Sequence, residues 1–161
     1  GLTNGNITKQ NMTFVTNTEY EYDYLVKDDN SVGVITLSNC SDLQGNIVNN
    51  FSPQNNRITI DNTPSVASII YKVNNKQVQN IFKKDTIVRI FALLDKDIYT
   101  DLKIKIEGSQ FDTINSSMIK VSATQYYKDY IAPAGNGVCN ITLSGGQDIA
   151  RNEINLSLIH I

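Results

Sequence analysis

Leu102-Lys103-Ile104-Lys105-Ile106 alternates apolar and charged residues without a break. Side chains two apart share one face of an extended chain, so Leu102, Ile104 and Ile106 read as a buried face and the two lysines as the solvated one. The same period of two recurs downstream. Ile119, Val121 and Ala123 alternate with Lys120 and Ser122, and Cys139, Ile141 and Leu143 alternate with Asn140 and Thr142. After Gly145-Gly146, a turn that starts a hairpin-like return, Ile154, Leu156 and Leu158 share one parity and Asn155 and Ser157 the other.

Upstream, residues 32–37, 57–60, 66–72 and 86–93 are short, rich in β-branched side chains, and bounded by Asn, Asp, Gly or Pro, as strands are. Helical periodicity is scarce. Residues 75–82 and 122–130 are the best candidates, and neither combines a cap with an apolar stripe, so any helix there is expected to be short. With some nine strands to cover, the economical solution is all-β: a single antiparallel β-sandwich, immunoglobulin-like or pilin-like.

The 161 residues weigh 17.9 kDa, enough for one domain. Hydrophobic residues at 40% with 19% charged exclude intrinsic disorder. Fourteen basic against 16 acidic residues, without a run of either sign, argue against a nucleic-acid partner. No apolar stretch is long enough for a membrane-spanning helix. The first residues, Gly1-Leu2-Thr3-Asn4-Gly5, have neither a basic cluster nor an apolar core, the expectation for a chain whose export signal has been removed.

Asparagine is the compositional outlier, at 20 residues. With 25 Ser and Thr, chance placement gives about three Asn-x-Ser/Thr sequons, the acceptor pattern for N-glycosylation. There are seven, at Asn6, Asn11, Asn39, Asn50, Asn115, Asn140 and Asn155, none with Pro in the middle. The excess reads either as N-glycosylation or as a by-product of Asn-rich composition. A glycan cannot enter a packed core. Asn140 and Asn155 satisfy that demand because they lie opposite their strands' apolar parity, and Asn50 and Asn115 lie among polar residues. Asn11 alternates with Met12 and Phe14, whereas Asn6 shares their parity unless the chain bends between them.

Cys40 and Cys139 are the only cysteines, far apart and without metal-ligand or Cys-x-x-Cys spacing. They read either as one long-range disulfide or as two reduced buried thiols. A bridge would close a loop of about 100 residues, worth roughly 4.7 kcal/mol in the chain-entropy model. Disulfide and sequons together point to an oxidising, extracellular destination.

Catalytic apparatus is missing from the pattern. The one histidine, His160, stands next to the last residue and reads as packed or terminal. No nucleophile-elbow, phosphate-loop, dinucleotide or zinc-protease pattern occurs. Asp95-Lys96-Asp97 with Asp101 resembles the start of a calcium loop, but Thr100 replaces its glycine and Ile106 its final glutamate, so a solvated acidic connection is the better reading. Neither enzyme nor cofactor is expected, apart from covalent N-glycans. Tyr20, Tyr22 and Tyr24 share one face of an extended segment and could stack on sugars, although packing explains such a stripe as well.

Residues 4–15 have strand character with sparse apolar anchors at Ile7, Met12 and Phe14, and the polar residues 16–19 separate them from the first confident strands. Such a segment can leave its own domain and complete a neighbour's sheet, which repeated head to tail makes an open filament. The organisation expected is therefore an N-terminal extension, 1–19, before a sandwich, 20–161. Chaperone-usher pilins assemble in this way, but their early cysteine pair and C-terminal tyrosine are absent here. An Asn-, Ile- and Tyr-rich chain with one distant cysteine pair, an extended N-terminal strand and sequons throughout resembles the glycosylated thread subunits of thermoacidophilic Sulfolobales. The resemblance implies a donor strand over residues 6–15, a Cys40–Cys139 staple and a glycan coat on the sequon asparagines. It also implies self-association into an extracellular homopolymer for adhesion or biofilm cohesion, with surface glycans or neighbouring filaments as further partners. The alternative is a monomeric secreted carbohydrate-binding or adhesin-like sandwich that uses the tyrosines.

Overall fold

The computed structural model describes residues 10–27, 30–48, 52–108, 111–154 and 159–160, and among these the chain is all-β with no helix. It divides into two compact units, Gly1–Asn62 and Thr63–Ile161.

The first unit is built from three two-stranded antiparallel pairs. Strand β1 (Thr13–Thr16) pairs with β2 (Glu19–Glu21) through the two-residue turn Asn17-Thr18. The polar stretch 16–19 thus contains a hairpin turn, with Thr13–Thr16 and Glu19–Glu21 paired across it. Strands β3 (Ser31–Val34), β4 (Cys40–Ser41), β5 (Ile47–Val48) and β6 (Arg57–Ile60) follow, pairing as β3 with β6 and β4 with β5. The β4–β5 connection is held by Asp42, whose carboxylate accepts from the Gln44 and Asn46 amides, both at 2.9 Å, and from Asn46 Nδ2 at 2.6 Å. Those bonds, the Asn46 side chain foremost, draw its pKa below the ordinary value. Among the described residues of this unit, Ile60 is the one buried apolar side chain.

The second unit carries the dense core. Its strands are β7 (Ala67–Val73), β8 (Lys76–Val78), β9 (Ile87–Leu94), β10 (Leu102–Gly108), β11 (Phe111–Ser117), β12 (Ile119–Ser122), β13 (Gln125–Ile131), β14 (Cys139–Gly145) and β15 (Ile159–His160). They form a five-stranded sheet, β12-β13-β9-β7-β8, and a four-stranded sheet, β11-β10-β14-β15, with every pairing antiparallel. Val88, Ile90, Ala92 and Leu94 from β9 join Leu102, Ile104 and Ile106 from β10 and Cys139, Ile141 and Leu143 from β14 in one buried cluster. Both sheets therefore turn an apolar face to the same core, and the alternations of β10 and β14 fall as their sequences require.

Neither helix candidate is helical, and each holds a hairpin turn and strand residues instead. In residues 75–82, Asn74 and Asn75 adopt positive φ of 50° and 64°, and Val73 pairs with Lys76, so the chain turns back as the β7–β8 hairpin. Asparagine tolerates that left-handed geometry, which a two-residue hairpin turn of this hand demands. In residues 122–130, Ala123-Thr124 forms the turn between Ser122 and Gln125, and the aromatic run that follows suits a strand.

The expected inner face of Ile119 and Val121 is also corrected, since both are exposed. Met118, between the two sheets in sequence, takes the buried position. Register explains the inversion. Lys120 pairs with the buried Tyr126 and shares its side of the sheet, whereas Ile119 pairs with Tyr127 on the outer side.

The acidic connection after β9 is a bonded corner. Asp95 Oδ1 accepts from Ser65 Oγ at 2.8 Å and the Val66 amide at 2.7 Å, while Lys96 Nζ donates to the Thr63 carbonyl at 2.6 Å. Buried Asp148 lies 3.9 Å from that ammonium and accepts from the Ala150 and Asn152 amides and Asn152 Nδ2. Gly145 has φ of 70°, and a Cβ there would sit 2.6 Å from the Asp101 carbonyl oxygen, so the glycine is required by both conformation and space.

Candidate functional site

Two kinds of surface bear on function: the apolar residues of the N-terminal unit and the outer faces of the two larger sheets. On β1 and just before it, Met12, Phe14 and Val15 are all exposed, Phe14 to 58%. Tyr20 and Tyr22 are exposed and Tyr24 is half-buried. The Phe14 ring meets that of Tyr20 edge to face across the hairpin, at 5.6 Å between centroids. Further apolar side chains of this unit, Leu25, Val34, Ile35, Leu43 and Ile47 among them, are also exposed. A two-stranded pair with its apolar groups in water is marginal by itself. Ile7, the third anchor, lies outside the described residues.

The sequon asparagines divide in the same way. Asn11, Asn39 and Asn115 are exposed, Asn140 is half-buried, and Asn6, Asn50 and Asn155 lie outside the described residues. Asn39 stands at φ of 60° beside Cys40. On the four-stranded sheet, Asn115 pairs with Lys105, and Asn140 pairs with Glu107 on one side and His160 on the other. Both asparagines therefore share the outer face with Lys103, Lys105 and Glu107, opposite the buried parity. A cleft of about 470 Å³ opens at one end of this sheet, lined by Glu107, Gly108, Thr113, Val138 and Asn140.

The five-stranded sheet has a different outer face. Arg89 and Asp129, paired in register, form a two-pronged ion pair with Nε to Oδ1 at 2.7 Å and Nη2 to Oδ2 at 2.9 Å. The Arg89 guanidinium also lies 4.2 Å from the Tyr127 ring centroid, and Lys72 Nζ lies 4.7 Å from that of Phe91. The arginine holds the Asp129 carboxyl below its ordinary pKa. Sequence reasoning missed this cluster. The legible signal was Arg89 itself, an interruption at the outward parity of the apolar run 87–94.

Cys40 is exposed and Cys139 buried, and both are free thiols, so the expected Cys40–Cys139 bridge is not formed in this structure. Cys139 Sγ lies 4.0 Å from the Tyr130 hydroxyl, and burial, followed by the thiol's proximity, pushes that phenol up to about 12. Burial alone pushes Tyr71 up to about 12, and among the described residues its hydroxyl has no hydrogen-bond partner while its ring packs on Phe82. Among the described residues, no three His, Cys, Asp or Glu side chains converge to hold a metal ion, and no helix is long and apolar enough to cross a membrane. No family model, curated protein or solved structure matches the chain.

Proposed function

We propose that the chain is a structural subunit of an extracellular filament, with Thr63–Ile161 as a β-sandwich body and the N-terminal segment as the element donated to a neighbouring copy. The observation that carries this reading is the contrast in burial. The second unit has a buried apolar cluster, whereas the N-terminal unit leaves Met12, Phe14 and Val15 in water. Chain that exposes this much apolar surface gains free energy when a second copy covers it, at about 25 cal/mol for each Å² buried. A strand offered head to tail generates an open polymer when the rotation from copy to copy does not close a ring. The sequons supply attachment points for a glycan coat, and the polymer serves adhesion or cohesion between cells.

Exposed Tyr20 and Tyr22 support a second reading, a monomeric secreted module that stacks sugars on these rings. Electron microscopy of natively purified protein, with intact-mass analysis, separates the two. Filaments whose subunits weigh several kilodaltons above 17.9 kDa are expected. Monodisperse particles at the bare mass, binding glycans through the tyrosines, would replace the filament with the module.

A further inference from the structure

Among the described residues, strand β11 is the longest edge strand of the second unit. It ends the four-stranded sheet and, among the described residues, pairs on one side only, with β10. An unpaired edge offers a row of amide and carbonyl groups to any passing strand, and proteins blunt such edges with shortness, lysine, proline or cover. The two edges of the five-stranded sheet obey this: β8 is the three-residue run Lys76–Val78 with lysine at its start, and β12 is the four-residue run Ile119–Ser122 with Lys120 within it. β11 is seven residues long, Phe-Asp-Thr-Ile-Asn-Ser-Ser, with neither lysine nor proline, and its one charge, Asp112, stands near the end with the register shift.

Its last three residues, Asn115-Ser116-Ser117, are a sequon. In an extended chain, residues i and i+2 point the same way, so the Asn115 amide and the Ser117 hydroxyl lie together on one face. Both residues are exposed, and their partners Lys105 and Lys103 mark that face as the outer one. At Asn140 the same pairing of groups is less accessible. β14 is flanked by β10 and β15, and Asn140 and Thr142 are both half-buried.

We infer that Asn115 carries an N-linked glycan and that this glycan guards the β11 edge against lateral strand pairing. The inference rests on the extracellular glycoprotein reading above. The transfer forms a bond between Asn115 Nδ2 and C1 of the first sugar of a polyprenyl-phosphate-linked oligosaccharide. The C1–O bond to phosphate breaks, the phosphate leaves with the electron pair, and the amide gives up one proton. Rooted one residue spacing from the edge groups, the oligosaccharide sweeps the volume through which another strand would approach. The sheet keeps its own hydrogen bonds, because the modified side chain projects from the face and not along the ladder.

The test uses the full chain from a sequon-glycosylating host, glycopeptide mass spectrometry, and low-speed sedimentation that pellets bundles and leaves single filaments or monomers in solution. A glycan is expected on the Asn115 peptide. Ser117→Ala removes that glycan alone and raises the pelleted fraction several-fold. Ser117→Lys also removes it but puts a lysine on the edge, and sediments as wild type. An unmodified Asn115 in a chain glycosylated elsewhere would overturn the inference, as would a Ser117→Ala chain that stays in solution or a Ser117→Lys chain that pellets like it. Absence of glycan at every sequon removes the glycoprotein reading as well. A glycosylated Asn115 on a chain that never forms filaments sinks only the filament.

Discussion

Phe14 and Tyr20 meet edge to face across the β1–β2 hairpin, their ring planes 77° apart, while more than half of each residue stays exposed. An exposed aromatic pair of this geometry steadies the hairpin by about 0.5 kcal/mol, the low end for such contacts. In the proposed filament, a neighbouring copy covers the rest of the apolar surface. Replacing Met12 and Phe14 together by Ser should therefore abolish assembly while the second unit melts as in wild type. Negative-stain microscopy and circular-dichroism melts measure the two effects. A variant that still polymerises would remove the hairpin from the assembly contact.

Burial sorts the isoleucines of the second unit into two energetic classes. Ile104 is fully buried in the core cluster, and truncation to Ala should cost about 2–5 kcal/mol in denaturant unfolding. Ile119 is 54% exposed on an edge strand, and Ile119→Ser should stay within about 0.5 kcal/mol of wild type. Equal losses at the two sites would contradict the register that puts Lys120 beside Tyr126.

That pair of residues also marks how far the sequence could be read. Alternation identifies a strand and its two faces, and it identified the core side of β10 and β14 because charged residues fill the other parity of β10 and uncharged polar residues that of β14. On β12 both parities carry something ambiguous: Ile119 and Val121 on one, and on the other a lysine whose stem can lie along the buried side while its ammonium reaches Tyr126. Which parity faces inward is then decided by the partner strand. The turns at Asn74-Asn75 and Ala123-Thr124 were equally hidden, because neither has the glycine that usually marks a tight hairpin, and without a turn the flanking residues imitated short helices. Met12 and Phe14 were legible as apolar residues in a polar segment, and the pairing of that segment with Glu19–Glu21 was not, since short strands with mixed parity set no register.

Asp95 and Asp129 make stability depend on acid. Hydrogen bonds from the Val66 amide and the Ser65 hydroxyl lower the pKa of Asp95, and the Arg89 hydrogen bond lowers that of Asp129. A folded pKa below the unfolded value of about 3.9 contributes stability that is complete above that value and is lost as pH falls through the folded one. Melting temperature should hence be level from neutral pH down to about 5 and decline below about 4. Asp95→Asn and Asp129→Asn should each melt below wild type at pH 6, with the gap closing toward pH 2. A gap that does not change with pH would assign the loss to packing rather than charge.

Free thiols of unequal burial give a direct chemical reading of the two cysteines. A maleimide reacts with exposed thiolate, so Cys40 should be labelled quickly in the folded chain and Cys139, packed among Ile141, Leu143 and the Tyr130 hydroxyl, only after unfolding. Because Cys40 lies on a two-residue exposed strand, Cys40→Ser should leave the melting temperature of the second unit where it was. A bridge closing about 100 residues would behave otherwise, since its loss costs roughly 4.7 kcal/mol in the chain-entropy model. Label uptake by Cys40 without reductant, with no gain of mass on reduction, is the expected result. Protection of both thiols until a reductant is added would restore the staple and overturn the free-thiol assignment.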